Sequence, residues 1–152
     1  MKQFLLIILV ISFSLLFSDT LPVVVDMNRF LDDASSTIFD FNYQLTYNSL
    51  QFIKDDSGFT AGLKVEYAIS IGDEVVSSGD FTSKLIFPNQ EMTRSGKLFR
   101  DKLSVTLPNS NYLMEITFTD INSSNSSTWS QQLMILGRDT FLSDLEFSSN
   151  IV

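Results

Sequence analysis

The chain carries 18 Asp and Glu, 10 Lys and Arg, and no His or Cys, so oxygen is the only abundant donor it offers. Without His there is no Ser-His-Asp triad and no imidazole ligand for zinc. Without Cys there is no thiolate ligand, no cysteine nucleophile and no disulfide. Carboxylates and amides remain. Asp55-Asp56 precede Ser57-Gly58, and Asp120 is followed two residues on by Asn122. Asp73-Glu74 fall at an expected hairpin tip, and Asp139 and Asp144 flank the last segment. Oxygen donors so spaced at loop mouths suit calcium, which takes about six to eight oxygens. Asp55, Asp56, Asp120 and Asn122 are therefore the candidate metal ligands. The plainer reading makes them turn formers and solvated charge, and no segment matches an EF-hand.

Catalysis finds little support. A glycosidase needs one carboxyl with a raised pKa in a cleft beside a second, whereas these acids sit mainly in turn sequences. Ser83-Lys84 and Ser95-Gly96-Lys97 do not make a Ser-Lys centre, and there is no G-x-S-x-G, phosphate loop or dinucleotide fingerprint. The expectation is a protein that is not an enzyme and uses no cofactor. A net charge of -8 and a pI of about 4.3 argue against nucleic acid as a partner.

The elements that would carry these residues have a period of two. In 59–71, Phe59, Ala61, Leu63, Val65, Tyr67, Ile69 and Ile71 fall on one face and mainly polar or small residues on the other. A strand with one buried face collects such a set, and a helix scatters it. The same alternation marks 37–47, 80–87, 99–107, 112–119 and 129–136, with shorter strands at 50–53 and 75–77. Turn residues separate them at 55–58, 72–73, 88–90, 108–111 and 122–128. The segment 26–34 reads as a helical turn or an edge segment, and 89–98 as a crossover between sheets. These features predict an all-β fold, an antiparallel two-sheet β-sandwich of Ig/FnIII-like type with 7–8 strands. A closed barrel is the alternative. Trp129 is expected in the core.

Residues 1–17 hold one charge, Lys2, and then an apolar run shorter than the roughly 20 residues that span a bilayer. The expected division is a signal peptide at 1–18, a lead-in at 19–36, the sandwich at 37–140, and a C-terminal strand or the start of a further segment at 141–152. Export places the protein outside the cell or in the periplasm and cell envelope. It would touch a membrane only if the leader stays uncleaved. Asn122 and Asn125 each begin an N-x-S sequon, read as chance matches in a Ser/Asn-rich loop.

The stretch 39–69, FDFNYQLTYNSLQFIKDDSGFTAGLKVEYAI, joins an aromatic-polar strand, an acidic-Gly-Phe turn and a long alternating strand. Phe30-Leu31-Asp32 precedes it. Leu103 to Pro108, Asn111 to Ile116, Asp120-Ile121-Asn122 and Leu142 to Glu146 follow in order. This pattern resembles the N-terminal β-sandwich region of GWxTD-domain proteins, secreted proteins of bacteria. The Gly-Trp-x-Thr-Asp signature itself is absent, and Trp129 stands in Ser-Thr-Trp-Ser. The resemblance implies architecture and export and brings no activity. It also suggests an N-terminal module, either short by nature or part of a longer protein.

Two functions follow as expectations. The first is a non-catalytic exported module that binds or scaffolds another envelope or secreted protein. The second is a carbohydrate-binding module, with or without calcium, which outward-facing aromatics on one strand face would favour.

Overall fold

The computed structural model of the chain describes residues 20–33 and 36–134. The expected signal peptide at 1–18 and the segment 141–152 lie outside the described residues, as do Asp139 and Asp144. Among the described residues, eight strands form two antiparallel sheets. They are β1 (Val24–Asp33), β2 (Ser36–Thr46), β3 (Ile53–Asp55), β4 (Gly58–Ile71), β5 (Glu74–Phe87), β6 (Leu98–Pro108), β7 (Tyr112–Asp120) and β8 (Ser126–Leu133). One sheet has the order β1-β2-β6 and the other β5-β4-β7-β8, with β3 also on β4. A 3-10 turn (Tyr47–Ser49) follows β2, and the one-turn helix α1 (Gln90–Thr93) lies in the crossover from β5 to β6. This is the all-β antiparallel two-sheet sandwich that the alternation predicts.

Alternation builds the core because successive side chains leave a strand on opposite faces. In β2, Phe39, Phe41, Tyr43 and Leu45 are buried while their neighbours are half-exposed. Leu63, Val65 and Ile69 of β4 and Met114, Ile116 and Phe118 of β7 cover the other inner face. Aromatic rings join the layers. The Tyr43 ring centroid lies 5.0 Å from that of Phe118, and Phe41 meets Trp129 edge-on at 5.5 Å. Trp129 is half-buried against the core, as expected.

Four segments differ from the sequence reading: the strand expected at 50–53 lies at Ile53–Asp55, β8 starts at Ser126 within the expected loop 122–128, and the lead-in and the β5 segment are also redrawn. The lead-in holds a full strand, β1, at the edge of the three-stranded sheet, which is the edge-segment option for 26–34 and not the helical turn; it pairs with β2 from Val24–Gln44 to Asp33–Ser36, so the sandwich starts before residue 37. Its alternation is blurred because Arg29 shares the inward row with Val25 and Met27. Residues 75–77 and 80–87 are one strand, β5, with a bulge in its pairing opposite Ile69 and Ser70.

Tyr112, the first residue of β7, is buried, and its hydroxyl donates to the Pro108 carbonyl at 3.0 Å. This is the tyrosine corner of Ig-like sandwiches, which pins the link between two sheets. The buried Tyr43 hydroxyl has no hydrogen-bond partner of good geometry. Burial first, then the nearby Asp101 charge, pushes its pKa up. The two tyrosines should respond oppositely to loss of the hydroxyl. Tyr112→Phe should cost about 1 kcal/mol in urea unfolding, whereas Tyr43→Phe, which removes an unsatisfied group, should be neutral or stabilising.

Candidate functional site

β4 spans 14 residues and β7 only 9. β5 occupies one edge of β4 from Phe59 to Ile71. On the other edge β7 pairs from Leu63 to Ser70, and β3 pairs with Gly58 to Thr60. Two strands thus share one edge end to end, and the chain between them has backbone groups that no ladder satisfies.

Asp120, at the end of β7, lies at this seam and has no solvent exposure. Its Oδ2 accepts from the Gln51 amide at 2.7 Å and from Ser123 Oγ at 2.7 Å. Its Oδ1 accepts from the Asn122 amide at 3.0 Å. Asn122 Nδ2 donates to the carbonyls of Gln51 at 2.7 Å and Thr60 at 3.2 Å. The turn closes through Ser124 N to the Asp120 carbonyl at 2.8 Å, with Ser124 at φ 63. The Ile121 amide donates to the Gly62 carbonyl at 3.0 Å, and the Ile121 side chain lies over Gly62 where any Cβ would stand.

The hairpin from β3 to β4 carries Asp55 and Asp56. Asp55 Oδ1 accepts from the Ser57 hydroxyl at 2.6 Å and the Ser57 amide at 2.8 Å, and Oδ2 from Thr60 Oγ1 at 3.0 Å. The Ser57 hydroxyl, then its amide, then Thr60 and the Lys84 charge hold this carboxyl below its usual range. Gly58 follows at φ 128, a conformation that favours glycine. Asp56 is exposed in the same turn.

Three of the four predicted ligands therefore meet in one network, running from Asp55 through Thr60, Asn122 and Gln51 to Asp120. Their chemistry is internal. Both carboxylates accept from the chain's own amides and hydroxyls, and the Asn122 amide nitrogen donates to carbonyls. Among the described residues no three His, Cys, Asp or Glu are grouped to hold a metal. A shallow polar cleft of about 360 Å³ opens beside the network, lined in part by Leu21, Pro22, Asn48, Gln51, Asp120 and Asn125. It offers hydrogen-bonding groups, among them the Ser123 hydroxyl that donates to Asp120.

The outer face of the three-stranded sheet carries a second polar ladder. Asp40 on β2 accepts from Lys102 Nζ at 2.7 Å and Ser104 Oγ at 2.6 Å on β6, and Arg100 Nε donates to Gln44 at 3.1 Å. Every described aromatic residue is buried or half-buried, with Phe30 on the outer row of β1. The feature that sequence reasoning did not single out is the open edge of β5. That edge is unpaired among the described strands, and Ile71, Val75 and Val76 beside its hairpin turn are 43%, 59% and 47% exposed. Adjacent valines in a run without alternation were the only signal.

No family model and no curated protein matches the chain. Among solved structures, that of a protein designated ApaA from Bordetella pertussis is similar over 78% of this chain and 94% of its own, at 13% identity and a TM-score of 0.40. At that score the likeness supports neither the fold nor a function.

Burial alone would raise the Asp40 carboxyl, but the hydrogen bonds from Lys102 and Ser104 and the Lys102 charge outweigh it and hold the pKa below the usual value. A depressed folded pKa contributes stability above the unfolded value, about 3.9, which is lost as pH falls through the folded value. Lys102→Gln should remove much of that contribution. Urea midpoints taken from pH 6 down to pH 2 should therefore fall less in the variant than in the wild type.

Proposed function

We propose that the chain is a non-catalytic exported β-sandwich module that binds a protein partner, or scaffolds an assembly, in the bacterial envelope or outside the cell. The observation that carries this reading is the open edge of β5. Unpaired strand N–H and C=O groups template another strand. Beside them the hairpin turn presents Ile71, Val75 and Val76 to solvent. Exposed apolar side chains next to a free edge suit docking, since monomeric domains ordinarily blunt such edges.

The export half of the proposal has its support in Lys2 and the apolar run to Phe17. The resemblance to the sandwich region of GWxTD-domain proteins points the same way. Among the described residues no helix is long and apolar enough to cross a membrane. The non-catalytic half has its support in a sequence without His or Cys and in carboxylates committed to internal hydrogen bonds.

A photo-crosslinking residue placed at Val75 should give a discrete protein adduct in the envelope or culture fluid of the source cells. The same residue at Thr106, on the outer face of the other sheet, should give none. Val75→Lys combined with Val76→Lys, probed from Ser78, should abolish the adduct. Equal labelling from Val75 and Thr106 would overturn the reading.

A further inference from the structure

The side-chain row on the open edge of β5 is self-complementary. Antiparallel pairing with β4 sets Asp80 opposite Glu66, Thr82 opposite Lys64 and Lys84 opposite Gly62, so Asp80, Thr82 and Lys84 share the outer face. Asp80 and Lys84 are exposed, and neither is in direct ion-pair contact among the described residues: Lys84 acts on Asp55 and Asp80 on Lys64 only through their charge, whereas Lys64 holds Glu66 at 2.7 Å. Two opposite charges thus stand two pleats apart on a free edge.

We propose that the partner of this edge is a second copy of the chain, joined by antiparallel β5–β5 pairing about a two-fold axis at Thr82. The inference rests on reading the β5 edge as a docking surface. In antiparallel pairing, backbone groups point alternately toward and away from the neighbour, so only residues of matching orientation can face each other. With the axis at Thr82, Asp80 of each copy faces Lys84 of the other, and the contact occurs twice by symmetry. Ser78 then faces Ile86, a residue left 49% exposed in the single chain. The ladder can run from Ser77 to Phe87 without leaving the strand.

Other registers lack this match. An axis at Asp80 sets Asp80 against itself, and one at Lys84 sets Lys84 against itself. An axis at Phe81 or Ser83 leaves both charges opposite uncharged residues. The bulge opposite Ile69 and Ser70 breaks the regular ladder near Val75 and Val76, which confines pairing to the straight part of β5. The open edge of β6 offers no equivalent. Its Arg100 and Lys102 are both basic and already donate to Gln44 and Asp40. β8 carries no charged residue at all.

Charge exchange tests both partner and register. By sedimentation equilibrium the purified chain should show a reversible monomer–dimer equilibrium. Asp80→Lys alone and Lys84→Glu alone, each with an unchanged circular dichroism spectrum, should weaken it about tenfold or more, because each sets like charges opposite twice. Mixing the two variants should restore dimer to within about threefold of wild type, since each then supplies the charge the other lacks. The double variant Asp80→Lys/Lys84→Glu should do the same. A wild-type chain that stays monomeric at about 1 mM would overturn the proposal. So would a dimer indifferent to both single exchanges. A monomeric chain that still yields a Val75 adduct with a different protein would sink self-pairing and leave the docking reading standing.

Discussion

The sheet that carries β4 depends on how the two edges of that strand are completed. β4 is longer than β7, its neighbour on one side, so a second strand must cover the remainder. β3 does so, and the junction between β3 and β7 brings amides from distant parts of the chain to a place where no ladder can bond them. A buried carboxylate there is costly unless fully hydrogen-bonded. Asp120 meets that condition with three donors, one of them from Gln51 on the far side of the seam. The same side chain is thus why the hairpin of β3 and β4 keeps its place against β7.

This arrangement divides the molecule. The β3–β7 edge is closed by side-chain hydrogen bonds, and the core behind it is packed by aromatic rings from β2 against β7 and β8. The chain has no cysteine, so no disulfide reinforces it and burial with hydrogen bonding carries the fold. On the other side β5 ends the sheet with nothing beyond it among the described strands. Asp40 and Lys102 are tied into a ladder, whereas Asp80 and Lys84 on β5 make no direct ion-pair contact among the described residues. The molecule thus has one end closed by internal hydrogen bonds and one strand edge left open among the described strands, and the proposed docking role rests on that contrast.

Much of the architecture was legible from alternation alone. β2, β4 and β7 have rows of apolar residues at every second position and β6 a row broken only by Asp101, and the structure places their boundaries within a residue or two of the pattern. β1 was obscured because Arg29 sits in its inward row while Phe30 sits outside. β5 was read as two pieces because its hairpin half is exposed on both faces, so no burial imposes a period on Val75, Val76, Ser77 and Ser78. The site was half legible. Asp120 and Asn122 stood out by spacing, but the same spacing serves a metal loop and an internal turn. The donor that decides between them, Gln51, is 69 residues away in sequence and is invisible to any local motif. The tyrosine corner needed only Tyr112 and Pro108, yet alternation had already accounted for Tyr112 as a core residue.

The central claim is that Asp120 ties the β3 hairpin to β7, and unfolding of Asp120→Asn measures it most directly. The substitution keeps the size of the side chain and removes the charge that accepts from Gln51, Asn122 and Ser123. Urea unfolding should show a loss of about 2–3 kcal/mol, and hydrogen exchange at the Gln51 amide should accelerate well beyond the change at amides in the middle of β4. Asp55→Asn, in the exposed turn, should lose far less. An Asp120→Asn protein as stable as wild type, with the Gln51 amide still protected, would contradict the account.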